Sequence, residues 1–273
     1  MWLPGEVTPT VALRKWWCGP VDQTTEAGFF TRGFGPRPRE GAPAVVLVHG
    51  LGLSGRYFVP LARRLAARGT AVLVPDLPGN VRSRAAAARA PDVDQLADAL
   101  AHLHRRFSLA PTVLVANSVG CQVVAAFAAR EPRMVSKLVL VGPALDPGAS
   151  GWRQAGRLLR DAPREPLRML ALAVSDYLVT GPLRCAASFR HALRDSAESF
   201  EANLARIRVP TLVVRGAGDP IASRSWCRRV ARLAGDGRTA EIPGAAHAAH
   251  YSAPDALVTL IQKFVADDPE GPA

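Results

Sequence analysis

The sequence predicts an α/β fold in which a mostly parallel central sheet is flanked by helices. Short runs of β-branched and other apolar residues alternate along the chain with segments of helical periodicity. This alternation is typical of strands joined by helices that cross back over the sheet. It is interrupted between Pro143 and Pro210, where helical patterns follow one another without a strand. At 273 residues, 48% of them hydrophobic, the chain is long enough for one domain with a large core.

The individual elements follow from these periodicities in chain order. Strands are predicted near residues 44–49, 70–75, 111–116, 137–142, 210–215 and 238–242, with a possible edge strand at Glu26–Thr31. Helices are predicted near 55–68, 92–107, 119–130, 223–234 and 254–266. Three further helical patterns occupy the interruption, at Trp152–Leu159, Pro166–Tyr177 and Pro182–Leu193. The tryptophans Trp16 and Trp17 receive no assignment.

A serine marks the joint between one predicted strand and the next helix. The run that begins at Pro111 ends at Ser118, which stands between the small residues Ala116 and Gly120, and a helical pattern starts at Cys121. Small neighbours permit a turn so tight that the serine is forced into a strained conformation and exposed. This pattern is typical of a nucleophile elbow, although taken alone it also fits a serine that caps a helix.

Two residues that could activate this serine follow it in the chain. Asp219 ends a predicted strand in a turn, and Pro220 disfavours a helical conformation for it. His247 lies on a loop after the last predicted strand. The order Ser, Asp, His is the one in which this architecture supplies nucleophile, acid and base. The pattern therefore predicts a catalytic triad of Ser118, Asp219 and His247.

From about Ala44 to Phe264 the chain resembles the α/β-hydrolase superfamily. Besides the elbow, the matching motifs are Val45-Val-Leu-Val-His-Gly-Leu-Gly52, Val74-Pro-Asp-Leu-Pro-Gly79, Leu138-Val-Leu-Val-Gly-Pro143, the Gly216–Pro220 turn, and Gly244-Ala-Ala-His247 with Pro254 after it. Three positions depart from the family pattern: Ala116 replaces a glycine, Asn80 replaces another glycine, and Ser252 replaces an acidic residue. None of these departures removes a catalytic group.

The resemblance implies how the chain is organised and what it does. Residues 1–145 and 201–273 would form the hydrolase core, and residues 146–200 a helical cap or lid over the active site. The backbone N–H groups of Leu51 and Val119 would form the oxyanion hole. The expected activity is that of a cofactor-independent serine hydrolase, which cleaves an ester, thioester or lactone through an acyl-enzyme on Ser118.

Alternatives exist for both the residues and the reaction. His49 and His250 compete with His247 as base, and Asp146 competes with Asp219 as acid. The sequence around Ser118 also resembles carbon–carbon bond hydrolases, which usually carry Trp where this chain has Ala248. A catalytically silent ligand-binding protein of the same fold is a third possibility. His102 and His104 lie on a predicted helix, and we expect them at the surface.

Composition limits the partners. The net charge is +11, and of 34 basic residues three are lysines. The arginines are spread along the chain without interleaved aromatics, which argues against nucleic-acid binding. We expect a small-molecule substrate, with an anionic compound or a carrier-bound acyl group among the options.

The remaining features predict a cytoplasmic protein without a cofactor. No apolar run approaches the roughly 18 residues that span a bilayer, and the first residues do not resemble a secretory signal. The four cysteines and six histidines show no metal-like spacing, so no metal site is predicted. The sequence does not predict an oligomeric state.

Overall fold

The computed structural model describes residues 22–25, 27–36, 44–146 and 151–267. The unassigned Trp16 and Trp17 lie outside these residues, as does Glu26. Within the described part of the chain the fold is α/β, as predicted: one mostly parallel sheet with helices on both faces.

The sheet has eight strands in the order β1-β2-β4-β3-β5-β6-β7-β8. Strands β3 to β8 are parallel and match the six predicted strands, whereas β1 and β2 extend one edge as an antiparallel pair. The strands are β1 Asp22–Thr24, β2 Thr31–Phe34, β3 Val45–Val48, β4 Val72–Pro75, β5 Thr112–Asn117, β6 Val135–Val141, β7 Thr211–Gly216 and β8 Gly237–Ile242.

The predicted edge strand at Glu26–Thr31 is wrong. Residues 27–29 turn the chain instead, because Gly28 adopts φ +76° and its N–H donates to the carbonyl of Thr25 at 2.8 Å. Only glycine adopts this left-handed conformation readily. The chain therefore reverses here and enters β2 at Thr31.

Ten helices follow the strands or lie between them in the described residues. They are α1 Val59–Ala67, α2 Val93–Arg106, α3 Gly120–Arg130, α4 Gly151–Asp161, α5 Leu167–Thr180, α6 Pro182–Glu198, α7 Phe200–Arg206, α8 Arg224–Leu233, α9 Ala249–Ser252 and α10 Pro254–Ala266. Helices α4, α5 and α6 occupy the predicted interruption between β6 and β7, whereas α7 was not predicted. Among the described residues, no helix combines the length and apolar character that crossing a membrane requires.

One expectation about the helix surfaces is also wrong. His104 was expected to be exposed, but it is buried on the inner face of α2 and its ring faces Phe127 of α3. The reason is its spacing: His104 comes one helical turn after Leu100 and so shares the face that packs on the sheet.

The core lies on both faces of the sheet. Alternate strand residues such as Val46 and Leu114 pack against α2, α3 and α8, whereas their neighbours Val45 and Val115 pack on the side of α1 and α10. Burial on both faces explains why the parallel strands are continuously apolar in the sequence. All carboxyl ends of β3 to β8 meet at one edge, so the loops after β3, β5, β7 and β8 lie close together.

Candidate active site

The backbone at Ser118 has the conformation expected of an elbow. Ser118 follows β5 directly and adopts φ +59°, a value that is unfavourable for any residue with a side chain. Its backbone N–H donates to the carbonyl oxygen of Val141, at the end of β6, at 3.1 Å. Two residues later, a Cβ on Gly120 would lie 2.6 Å from the carbonyl oxygen of Val48 and 2.7 Å from that of His49. Glycine is therefore required where α3 passes β3.

The structure brings Asp219 and His247 into direct contact. The Nδ1 of His247 donates to Oδ2 of Asp219 at 2.9 Å. The other carboxylate oxygen accepts the N–H groups of Ile221 and Ala222 at 2.7 and 3.0 Å. Gly142, at the end of β6, leaves room for the pair, since a Cβ there would lie 2.9 Å from His247 Nδ1. The contact fixes the ring orientation and leaves the second ring nitrogen, Nε2, outside the pair.

Electrostatics favour the charged form of both groups. Burial alone would raise the pKa of Asp219, but the His247 ring and two backbone N–H groups hold this pKa below its ordinary value. Burial alone would lower the pKa of His247, but Asp219 and two further carboxylates, Asp161 and Glu165, bring this pKa above its ordinary value. The His247 Nε2 is buried and has no hydrogen-bond partner among the described residues.

A short network joins the loop after β3 to the elbow and to the histidine loop. The Tyr57 hydroxyl accepts the N–H of Gly50 at 2.7 Å and donates to Oδ1 of Asn117 at 3.1 Å. The Asn117 side chain in turn donates to the carbonyl oxygen of His247 at 3.2 Å. Because Asn117 precedes Ser118, this network places the three loops in a fixed relation. No local signal in the sequence distinguishes Tyr57 from an ordinary core aromatic.

The two predicted oxyanion-hole residues face one small cavity. Leu51 and Val119 line a cavity of about 30 Å³ together with Gly50 and Gly120. A Cβ on Gly50 would lie 3.1 Å from the Cβ of Ser118, so the loop after β3 approaches the elbow closely. The arrangement is compatible with two backbone donors beside the serine.

Both competing histidines are engaged elsewhere. His49 accepts the N–H of Leu77 at Nε2, 2.8 Å away, and donates from Nδ1 to the Gly50 carbonyl. With both nitrogens occupied, it anchors its loop and has no nitrogen free to act as a base. His250 is fully buried against the rings of Tyr57 and Phe58, and burial lowers its pKa well below the ordinary value.

The competing acid lies in a different place. Asp146 lines a separate cavity with Ser196 and Arg229. The carboxylate in contact with the histidine ring is that of Asp219.

The inserted helices contact both loops that flank the serine, and the sequence did not single out Asp176 or Thr180 for such contacts. Asp176 of α5 accepts the N–H of Ser54 at 2.9 Å and its hydroxyl at 2.6 Å. Thr180 donates to the carbonyl of Gly52 at 3.0 Å, and Phe189 of α6 packs in the cluster that contains Val119.

Two further acidic side chains of the inserted segment contact the histidine loop. Asp161 accepts the N–H of His247, and Glu165 accepts the N–H of Ala248.

Known proteins resemble this chain in sequence. The family model described as serine aminopeptidase, S33, matches residues 40–253. Polyketide synthase ThaQ of Burkholderia thailandensis is 30% identical over 258 residues, which cover 82% of this chain and 12% of the synthase. The 2-hydroxy-6-oxononadienedioate/2-hydroxy-6-oxononatrienedioate hydrolase 2 of Pseudomonas putida is 32% identical, over 66% of this chain and 72% of that enzyme.

A solved structure shows the same fold. The enol-lactonase of Burkholderia xenovorans LB400 superposes with a TM-score of 0.68 at 22% identity, covering 90% of this chain and all of that one. The match of the family model to most of the chain, together with the architecture, confirms the resemblance found in the sequence. The chain belongs to the α/β-hydrolase superfamily, in the family of serine aminopeptidase S33.

Proposed function

We propose that this protein is a cofactor-independent serine hydrolase that cleaves an ester, thioester or lactone through an acyl-enzyme on Ser118. The observation that carries the proposal is the contact between His247 Nδ1 and Asp219 at 2.9 Å, on a loop tied through Asn117 to the elbow. A histidine held in this way has one nitrogen left to take a proton from a nearby serine.

In this mechanism His247 removes the Ser118 proton as the hydroxyl oxygen attacks the substrate carbonyl. Asp219 stabilises the imidazolium that forms, without accepting the proton itself. The N–H groups of Leu51 and Val119 stabilise the negative charge on the substrate oxygen, and each such donor contributes about 3 to 4 kcal/mol to lowering the barrier. His247 then returns its proton to the leaving group, and water hydrolyses the acyl-enzyme by the same steps.

The proposed domain division is a core of residues 1–145 and 201–273 with a cap of residues 146–200. The contacts of Asp176 and Thr180 with the loop after β3 support it, as does the packing of Phe189 near Val119. Through these contacts the inserted helices adjoin the residues that would bind the reacting carbonyl. Substrate selection would then depend on this segment.

The charge of the first part of the cap, residues 151–183, supports an anionic small molecule or a carrier-bound acyl group as substrate. Between residues 151 and 183, the three acidic side chains, Asp161, Glu165 and Asp176, are buried. The arginines of the same stretch are exposed or half-buried, so the outer surface is basic. We propose that the protein is cytoplasmic and does not bind nucleic acid.

Carbon–carbon bond hydrolysis is the second candidate. The Pseudomonas putida relative supports it, since its named substrates are 2-hydroxy-6-oxo dioates. Ala248 argues against it because that class usually has Trp at this position. A substrate panel of short esters, acyl thioesters, lactones and vinylogous diketones separates the two candidates by which compounds are turned over.

A fluorophosphonate probe tests the serine directly. We expect the wild-type protein to gain one probe adduct by intact mass, and Ser118→Ala to gain none. Ser225→Ala, which removes an exposed serine of α8, is the matched control and should be labelled like the wild type. A wild-type protein that resists the probe while folded would contradict the proposal and favour a silent ligand-binding protein.

A further inference from the structure

Two acidic side chains of the inserted segment are turned inward against the histidine loop. Asp161, the last residue of α4, accepts the backbone N–H of His247 with Oδ1 at 3.3 Å. Glu165 follows one short turn later and accepts the N–H of Ala248 with Oε1 at 2.6 Å. Their exposed fractions are 7% and 8%. Two consecutive backbone N–H groups of the histidine loop therefore donate to side chains of the inserted segment.

This arrangement is electrostatically unfavourable for the carboxylates. Glu165 faces Asp161, Asp219 and the His247 ring, and its Oε2 is buried without a hydrogen-bond partner in the described part of the chain. Burial raises the pKa of Glu165 to about 7, and burial also raises the pKa of Asp161, an effect that the His247 ring, the His247 N–H and Arg164 moderate. Buried charges seldom increase stability compared with apolar replacements. The cluster therefore calls for an explanation in the chemistry of the neighbouring histidine.

We propose that Asp161 and Glu165 are positioning residues for His247, which hold its loop in register and keep negative charge beside its imidazole. The inference rests on the proposed function, since it assumes that His247 is the base. If the inference holds, the inserted segment takes part in catalysis. The base then has both carboxylate contacts only while α4 and the turn after it pack against the histidine loop.

The two carboxylates act on His247 in two separable ways. Their hydrogen bonds fix the backbone on which the ring is carried, and a displacement of about 1 Å there can cost on the order of a hundredfold in rate. Their charge stabilises the imidazolium that forms when the base takes the serine proton, which raises the pKa of His247. A purely structural contact would act in the first way alone.

Substitutions distinguish these two effects. Glu165→Gln and Asp161→Asn keep an oxygen that can accept the backbone N–H but remove the charge. Glu165→Ala removes both. Glu198→Gln removes an exposed carboxylate of α6, which is the matched control.

The first measurement is the NMR titration of the His247 ring in a Ser118→Ala background, which does not require activity. We expect Asp161→Asn to lower the pKa of His247 by about half a unit or more. Glu165→Gln should lower it by less, because Glu165, with a pKa of about 7, is only partly ionised over the range in which His247 titrates. Glu198→Gln should leave it within 0.1 to 0.2 units, roughly the change expected for an exposed and screened charge.

The second measurement is kcat/KM against pH with p-nitrophenyl acetate as the probe ester. The acidic limb should move to lower pH in Glu165→Gln with little loss of plateau rate, whereas Glu165→Ala should also lose about tenfold to a hundredfold in kcat. A denaturation midpoint for each variant identifies loss of folding.

Each result has a definite meaning. If the His247 pKa is the same in Glu165→Gln, Asp161→Asn and Glu198→Gln, the inference is overturned whether or not the protein is active. If the pKa shifts as expected but the wild-type protein neither reacts with fluorophosphonate nor turns over any ester, the proposed function fails while the positioning contact stands.

Discussion

The strained backbone at Ser118 leads to a prediction that compares two inactive variants. At φ +59° a side chain crowds the backbone, at a cost of roughly 1 to 2 kcal/mol, and glycine does not incur this cost. Glycine also gives the unfolded chain more conformational freedom, and this cancels about 0.5 to 1 kcal/mol of the stability that glycine gains in the folded state. We therefore expect Ser118→Gly to be about 0.5 to 1 kcal/mol more stable than Ser118→Ala, because alanine keeps the clash.

Urea denaturation of the two variants measures the difference, which corresponds to a shift of roughly 1 to 4 °C in melting temperature for a chain of this size. Both variants should lack esterase activity and fluorophosphonate labelling. Ser225→Gly and Ser225→Ala, in the first turn of α8, give the ordinary ranking at a helical position, where alanine should be the more stable. If Ser118→Ala proves equal to or more stable than Ser118→Gly, then the elbow conformation is not strained and the reasoning is refuted.

Four further predictions concern the chemistry and the cap. Asp219→Asn should lower kcat on the order of 10⁴-fold, because the amide holds the His247 ring in the wrong tautomer. Asp146→Asn should keep a kcat near that of the wild type. If Asp146→Asn is the inactive variant and Asp219→Asn the active one, the acid is Asp146. Since the base must be neutral and the pKa of His247 is raised, kcat/KM should fall as pH falls through a midpoint above 6.5, and a lower midpoint would argue against the Asp219 contact. Phe189→Ala should change the order in which substrates are preferred, as measured by kcat/KM. Val139→Ala should lower the free energy of unfolding by about 2 kcal/mol and leave that order unchanged. If Phe189→Ala changes kcat/KM by the same factor for every substrate, the cap has only a structural role. Activity should survive EDTA, and loss that a divalent ion restores would overturn the cofactor-free mechanism.

The parallel strands could be predicted because they follow from local patterns, and the candidate site residues were named from patterns of the same kind. A strand buried on both faces is apolar throughout, and the order of Ser118, Asp219 and His247 is a property of chain connectivity. The antiparallel edge could not be predicted in the same way. Strand β2 contains Arg32, which is buried in an ion pair with Asp76 at 2.6 Å, so its sequence lacks the apolar run of a buried strand.

The roles of the buried carboxylates could not be predicted, since their partners are backbone N–H groups far away in the chain. Asp176 lies 122 residues from Ser54, and Glu165 lies 83 residues from Ala248. In the sequence these acids simply alternate with arginines. Between residues 151 and 183 the structure separates the two signs of charge, because Asp161, Glu165 and Asp176 point inward to the loops of the candidate site and the arginines are exposed or half-buried.

This separation has a consequence for how the cap could influence catalysis. A segment whose acids contact both the loop of the proposed base and the loop after β3 cannot move far without breaking both sets of contacts, because Asp161 and Glu165 contact one loop and Asp176 contacts the other. Opening for substrate would then weaken the imidazolium and the oxyanion site together, and closure would restore them together. In such an enzyme the cap would exclude water and at the same time complete the groups that react.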